Sequence, residues 1–352
     1  MHQFHRPARP RLLALAAALA VTTAACGGGG GDTAKGDDTG GRAGGDTTTT
    51  TLAPTPSPLT GILLTDASIA SRPAVTIKVD NGPQARPQSG IDKADVLIEE
   101  KVEGGISRFL SVFQSEDADL VGPVRSVRST DPGLVAAFGG VFAFAGGIPA
   151  FETLARAQPV TVVSERASRD GFTYPPGKKR PHATYAATSK LRSMAKEHDD
   201  PPPSVFEFLP AGGTFAPAGA LPATTAAVTF SRTSFTVDYD AASNTWKRST
   251  DGRPHVLEGG VQLAFTNVII QRTAYRPTSF KDPSGSVVDE ATVVGEGDAV
   301  VLSQGKQATV RWKKASATSV TTYTDAAGAP VKFLPGKTLV SLPPAGNAIT
   351  VS

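Results

Sequence analysis

The chain has one cysteine, Cys26, among 352 residues, so it can form no intrachain disulfide and its stability must come from a packed core. Its N-terminal apolar run, residues 12–21, is ten residues long, half of the roughly 20 that a bilayer span needs. The histidines are few, and His182, His198 and His255 stand singly with no metal-ligand spacing, so neither a metal centre nor a cofactor is expected. A charge excess is also missing once processing is considered. Removing Arg6, Arg9 and Arg11 with a signal takes the 35 basic residues to 32, against 32 acidic ones. A balanced chain offers no broad basic face, which excludes nucleic-acid binding driven by counterion release. Any anion site must be local.

What is present at the N-terminus is an export signal. Arg6, Arg9 and Arg11 precede the apolar run, and small residues then lead through Thr23, Ala24 and Ala25 into Cys26. This order resembles a bacterial lipobox, with Thr23 where Leu is usual. It predicts a signal peptide over 1–25 and a lipid anchor on Cys26 that holds the exported protein on the outer face of the cytoplasmic membrane. The alternative is a plain secretory signal followed by an unpaired thiol. Residues 26–58 are Gly, Asp and Thr with almost no apolar side chain, the composition of a disordered tether.

The roughly 290 residues beyond are long enough for a sizeable core, divided near Pro201, Pro202 and Pro203, which forbid continuation of helix or central strand. Before that point strand and helix signals alternate: Val75, Ile77 and Val79 predict a strand ending at Asp80. Asp131 and Pro132 predict a helix start, and Thr188 opens a helix to about His198. After it the signals are strands: a hairpin in "SFTVDYDAASNTWKRS", a long strand in "QLAFTNVIIQRTAY" and a hairpin in "DAVVLSQGKQATVRWKK".

In "ADVLIEEKVEGGISRFLSVF", residues 94–113, two β-rich runs flank Gly104 and Gly105, which suit a two-residue turn. That register sets Glu103 opposite Ile106 and Lys101 opposite Arg108. Ile98, Val102, Phe109 and Phe113 then face the core, and Glu99, Lys101, Glu103 and Arg108 form a charged patch ending in Leu110 and Val112. Glu99 and Glu103, four apart on one strand, lie about 13 Å apart at ~3.3 Å per residue, too far for a glycosidase pair at roughly 5 to 9.5 Å. Either could still pair with Asp80 or Asp95, and a salt-laced sheet face is the structural alternative. Other catalytic patterns are weak. Ser193 with Lys196 and Ser303 with Lys306 match S-x-x-K without its companion motifs, and Gly336-Lys337-Thr338 lacks the first glycine of a phosphate loop.

The stretch "LVGPVRSVRSTDPGL", residues 120–134, sets Arg125 and Arg128 with Ser126, Ser129 and Thr130 just before the helix start. Guanidinium groups and free helix amides both favour a carboxylate or phosphate. The same arginines could instead neutralise Glu99 and Glu103, so a ligand site and an internal ion-pair network are both open.

The runs "RPAVTIKVDNGPQARPQSGIDKADVLIEEKVEGGISRFLSVF" and "VGPVRSVRSTD", with "GGVFAFAGG" and "RPHATYA", closely resemble the N-terminal domain of the YerB-like bacterial lipoproteins. "YDAASNTWKR", "GRPHVLEGGVQLAFTNVIIQ" and "GAPVKFLPGKTLVSLPP" resemble that family's C-terminal domain. The resemblance implies an α/β fold of layered sheets with helices: a mixed N-terminal domain over 59–205, then a strand-rich domain over 215–352. It implies a surface lipoprotein with no enzymatic activity firmly assigned. The family's polar motif positions fall on Asp80, Asn81, Arg86, Gln88, Glu99, Glu103, Arg108, Arg125 and Arg128, with His182 in a related motif. Departures at Gly82 (usually His), Ala183 (usually Asn) and Leu339 (usually Trp) weigh against histidine chemistry. Two functional classes follow. One is a binding or regulatory protein of the cell envelope, partnered by the membrane through its anchor and by a cell-wall ligand or envelope protein. The other is a hydrolase or transferase acting on a glycan or phosphorylated envelope precursor.

Overall fold

A computed structural model of the protein describes residues 54–352. The signal peptide, Cys26 and most of the predicted tether lie outside them. The tether's last residues belong to the folded unit: Thr55–Pro56 pairs antiparallel with Leu63–Leu64, and Ser57 is buried.

Strands of three residues or more are numbered in chain order. The first half supplies β1 (Val75–Asp80), β2 (Val96–Lys101), β3 (Ser107–Phe113), β4 (Val141–Phe144) and β5 (Thr161–Ser164). The second half supplies β6 (Thr225–Thr229), β7 (Ser234–Asp240), β8 (Thr245–Thr250), β9 (Asn267–Gln271), β10 (Tyr275–Lys281) and β11 (Val287–Ala291). β12 (Gly295–Ser303), β13 (Lys306–Lys314), β14 (Thr322–Thr324), β15 (Thr338–Leu342) and β16 (Ile349–Val351) complete it. The helices are α1 (Asp131–Val135), α2 (Pro149–Arg156) and α3 (Thr188–Arg192).

The expectation of an α/β fold is overturned. Strands take 39% of the described residues and helices 11%, so sheets, and not layers of helix, form the frame. The helix signals are real but are cut short locally. After α1 the chain turns at Gly139 and Gly140, both at positive φ, where a Cβ on Gly140 would sit 2.0 Å from the Ala74 carbonyl oxygen. α3 stops at Arg192, and the hydroxyl of Ser193 donates back to the Lys190 carbonyl (2.7 Å), a local bond that competes with helix continuation.

One sheet of eleven strands runs through both halves of the sequence. Its central order is β13-β12-β9-β15-β2-β3-β1-β4-β5, with β15 from the second half parallel to β2 from the first. A six-stranded antiparallel sheet contains β6, β7, β8 and β16. The run expected as one long strand changes sheets at Thr266: Ala264–Phe265 pairs with β8, whereas β9 joins the large sheet. Alternation along the strands splits the core in two. Val96, Ile98, Leu110 and Val112 pack with Val135, Phe138 and Phe151 on the first face of the large sheet. Leu97, Phe109 and Phe113 pack with Phe235, Val237 and Trp246 of the smaller sheet on the second face.

The 94–113 hairpin forms, but one residue out of the expected register. Glu100 pairs with Arg108 and Lys101 with Ser107, because Glu103 joins Gly104 and Gly105 in a three-residue turn closed by Val102 N donating to Ile106 O (2.9 Å). Both glycines hold positive φ as the turn requires. A one-residue slip sends every side chain of one strand to the other face. Arg108 therefore shares the first face with Glu100, Leu110 and Val112, and Glu99 lies on the second with Phe109 and Phe113. The single charged patch predicted for Glu99 and Arg108 is thus divided between two faces.

Candidate functional site

β1 and β4 pair in parallel only as far as Ile77 and Ala143. Beyond that point residues 124–127 fill the gap between them. Arg125 N donates to Lys78 O (2.8 Å), Ala145 N to Arg125 O (2.9 Å) and Val127 N to Gly146 O (2.9 Å). This is the carboxyl end of the parallel strands β1, β4 and β5, the end at which open sheets receive ligands. The Gly-Pro-Arg run is built into that end of the sheet.

On the first face, Asp80 closes β1. Its Oδ1 accepts from Gly82 N (3.0 Å), its Oδ2 accepts from Arg125 Nε (2.8 Å), and His182 Nε2 lies 3.1 Å from the same oxygen. Burial would raise this carboxyl, but Arg108 and Arg125, the Gly82 amide and His182 outweigh it and hold it below the usual range. Arg128 Nε donates to both oxygens of Glu103 (2.7 and 2.8 Å). Arg108 differs. It is 5% exposed, its Nη1 donates only to the Ser126 carbonyl (3.2 Å), and its Nε has no partner. Among the described residues no carboxylate lies within ion-pair distance of it. Burial and then Arg128 push its guanidinium down to about 10, with Asp80 opposing. Arg128 Nη1 also points at Ser126 O (3.5 Å), so two guanidinium groups converge on one carbonyl.

Beneath this cluster lies a fully buried triad that the sequence reading missed. Lys78 Nζ donates to Asp131 Oδ1 (2.7 Å) and to Glu100, while Asp131 Oδ2 accepts from Arg128 N (2.7 Å). Burial and the neighbouring Asp131 raise the Glu100 carboxyl to about 8, against the pull of Lys78. Lys78 sits in the alternation Thr76, Lys78, Asp80, which by itself predicts an exposed polar stripe. Only the wedge at 124–127 and the helix start at Asp131 cover it.

On the second face the polar groups close on one another. Arg248 grips Glu99 bidentately (3.0 and 2.8 Å) and stacks over the Phe235 ring at 4.1 Å. Glu99 also accepts from Asn81 (3.2 Å) and Ser107 (2.7 Å). Arg248 Nε reaches Thr250 and His255, Thr250 Oγ1 meets His255 Nδ1 at 2.7 Å, and His255 Nε2 meets Gln88 Oε1 at 2.9 Å. Gln88 then donates to Asn81 (3.1 Å) and to the Asp80 carbonyl (3.0 Å). Burial, then Arg248 and Arg86, depress His255 to about 2, so it stays neutral. Arg248 and His255 were missed as members of this network. Arg248 did give a signal, since alternation places it on the face of Trp246 and Thr250, the core side.

Nine of the ten predicted positions thus fall into two groups, and Arg86 stands apart. Asp80, Glu103, Arg108, Arg125, Arg128 and His182 meet at the carboxyl end of the parallel strands. Asn81, Gln88 and Glu99 lie in the second-face network. Arg86 pairs with Asp251 (2.7 Å) at the edge of a cleft lined by Thr250, Arg253 and His255. Arg125 and Arg128 make internal ion pairs, with Asp80 and Glu103, and Glu99 is not their partner.

The crystal structure of YerB protein from Bacillus subtilis is similar to this fold, with a TM-score of 0.70 and 25% identity over 84% of this chain and 99% of that one. A Bacillus subtilis (strain 168) protein named "Putative lipoprotein YerB" is 28% identical over 308 residues, which is 84% of this chain and 88% of the relative. Residues 59–200 match the N-terminal domain, and 226–340 the C-terminal domain, of the family described as "Protein of unknown function (DUF3048)". By these matches, and by the two-half architecture that shares one sheet, the chain belongs to the DUF3048 family of YerB-like proteins.

Proposed function

We propose that the chain is an exported lipoprotein, tethered through Cys26 on the outer face of the cytoplasmic membrane, that binds an anionic group at Arg108, Arg125 and Arg128. The name of the Bacillus relative supports the lipoprotein assignment, and the signal and lone cysteine support the anchor. One observation carries the binding reading: Arg108 is a buried guanidinium with no carboxylate, flanked by two more arginines. Three guanidinium groups there face two carboxylates, Asp80 and Glu103, and a buried charge is stable only when paired. A bound anion completes the set. A binding or regulatory role at the envelope fits better than catalysis, because Glu99 is held by Arg248 and Glu103 by Arg128, which leaves neither as a free acid or base.

Metabolic labelling with a lipid analogue should mark the wild type and not Cys26→Ala. The anion site is tested by melting the full-length protein in detergent with inorganic phosphate against chloride at matched ionic strength. A ligand that binds only the folded state stabilises it, by about 2.7 kcal/mol at a hundred times Kd. The melting temperature should rise with phosphate, and Arg125→Gln should abolish the rise. Equal curves for wild type in both salts would contradict the reading.

A further inference from the structure

The anion site has a neighbourhood of its own. Residues 165–182 run from the end of β4, at Glu165 and Arg166, to the cluster at His182. At the start, Glu165 N donates to Phe144 O (3.0 Å), at the end of β4, and Arg166 Nη1 donates to Gly147 O (3.1 Å). Arg166 also covers Gly146, where an added Cβ would meet its Cβ at 3.2 Å, and the Gly146 carbonyl accepts from Val127 of the wedge. At the far end His182 reaches Asp80. Between these points the segment carries Arg166, Arg169, Lys178, Lys179 and Arg180 against two acids, Glu165 and Asp170. Arg180 is paired with Glu165, Lys178 with Glu258, and Asp170 with Lys190. Arg169 lies over the Tyr174 ring at 5.1 Å, and neither it nor Lys179 has an ion pair among the described residues. The Arg166 side chain is 62% exposed, and its only ion pair among the described residues is a long one of 4.0 Å to Glu152. A basic strip in which Arg169 and Lys179 have no ion pair among the described residues therefore runs from the end of β4 to Asp80, the carboxylate that Arg125 holds.

We infer that the arginine cluster takes one phosphate group of a linear phosphate polyanion, whose flanking phosphates follow the strip of Arg166, Arg169 and Lys179. The inference rests on the anion-site reading and names its ligand. Phosphate is favoured over carboxylate because three guanidinium groups contribute donors from two chain segments, Arg108 on β3 and Arg125 and Arg128 in the stretch before α1. A planar carboxylate is satisfied by one guanidinium fork, as Glu99 is by Arg248, whereas a tetrahedral group offers oxygens in several directions. The chain also turns through Gly146 and Gly147 from β4 into α2 beside the cluster, the strand–glycine–helix turn at which phosphates sit on backbone amides. A polymer is favoured over a single ion because the exposed cations add contacts only for a ligand that extends beyond the arginine cluster, and linked contacts multiply affinity.

The test is calorimetric titration of the full-length protein in detergent with four probes: inorganic phosphate, linear polyphosphate of about ten units, polyglutamate of similar length, and phosphatidylglycerol vesicles. Polyphosphate should bind at least about tenfold more tightly per chain than inorganic phosphate, with affinity falling steeply as salt rises. The triple variant Arg166→Gln, Arg169→Gln, Lys179→Gln should lose that advantage and keep its affinity for inorganic phosphate. If polyglutamate or vesicles bind as tightly as polyphosphate, or if the triple variant binds polyphosphate like the wild type, the inference fails while the anion site stands. If no probe binds the wild type, or Arg125→Gln leaves every affinity unchanged, the anion site itself fails.

Discussion

The two faces of strands β1, β2 and β3 carry the same kinds of residue and treat them differently. On the second face every charge has its complement: Glu99 and Arg248 form a bidentate pair, and Asn81, Gln88, Thr250 and His255 fill their remaining positions. The network joins the two halves of the chain, and although Thr250 and His255 also line the cleft beside Arg86, their polar atoms are already partnered within the network. On the first face the arginines exceed the carboxylates they touch, Arg108 is left with a carbonyl, and Arg125 keeps its side chain 25% exposed. A closed network specifies the fold, and an open one with surplus donors is suited to recognition.

The largest effect should come from breaking the closed network. Arg248→Met strands the Glu99 carboxylate in the core, and removing one partner of a buried pair costs about 3 to 5 kcal/mol. Urea denaturation should show this loss. The matching change on the open face, Arg108→Met, removes a buried charge that has no carboxylate partner. It should cost less than about 1 kcal/mol or stabilise the fold, and it should abolish the response to phosphate. Equal losses in the two variants would erase the distinction between the faces.

These partners were only partly legible beforehand. The strand at 75–80 and the hairpins at 234–249 and 298–314 could be read because alternation and turn residues act locally. The register of the 94–113 hairpin could not, since it depends on Glu103 joining the turn and being held there by Arg128, a contact with |i−j| of 25. That one residue decided which face received Glu99. The α/β class failed similarly: helix starts at Asp131 and Thr188 were visible, but the glycine turns and sheet pairings that shorten the helices are tertiary. Family resemblance found the cluster members, and chain geometry was needed to divide them.

The faces should also separate by pH. His255 is depressed from 6.5 to about 2, so its contribution is present above about pH 6.5 and is lost as the pH falls below that value. Glu100 is raised from 4.5 to about 8, so its contribution is full below about pH 4.5 and is lost as the pH rises through 8. Melting temperature against pH should therefore fall on both sides. His255→Asn should flatten the acid limb and Glu100→Gln the alkaline limb, and a variant that flattens the opposite limb would contradict the assignment.

The smallest stability effect belongs to Arg125→Gln. Its ion pair with Asp80 is partly exposed, Asp80 keeps the Gly82 amide, and partly exposed pairs contribute about 0 to 1 kcal/mol. Stability should fall by no more than that in urea, even though phosphate binding is lost.

The central claim is that anions enter the first-face cluster and not the second-face network. It is tested most directly by following the arginine Nε–Hε resonances of the full-length protein while inorganic phosphate is added. The account predicts that Arg108, Arg125 and Arg128 shift together along one binding curve and that Arg248 stays fixed. A shift of Arg248 on that curve, or no shift of Arg108 at saturating phosphate, would contradict it.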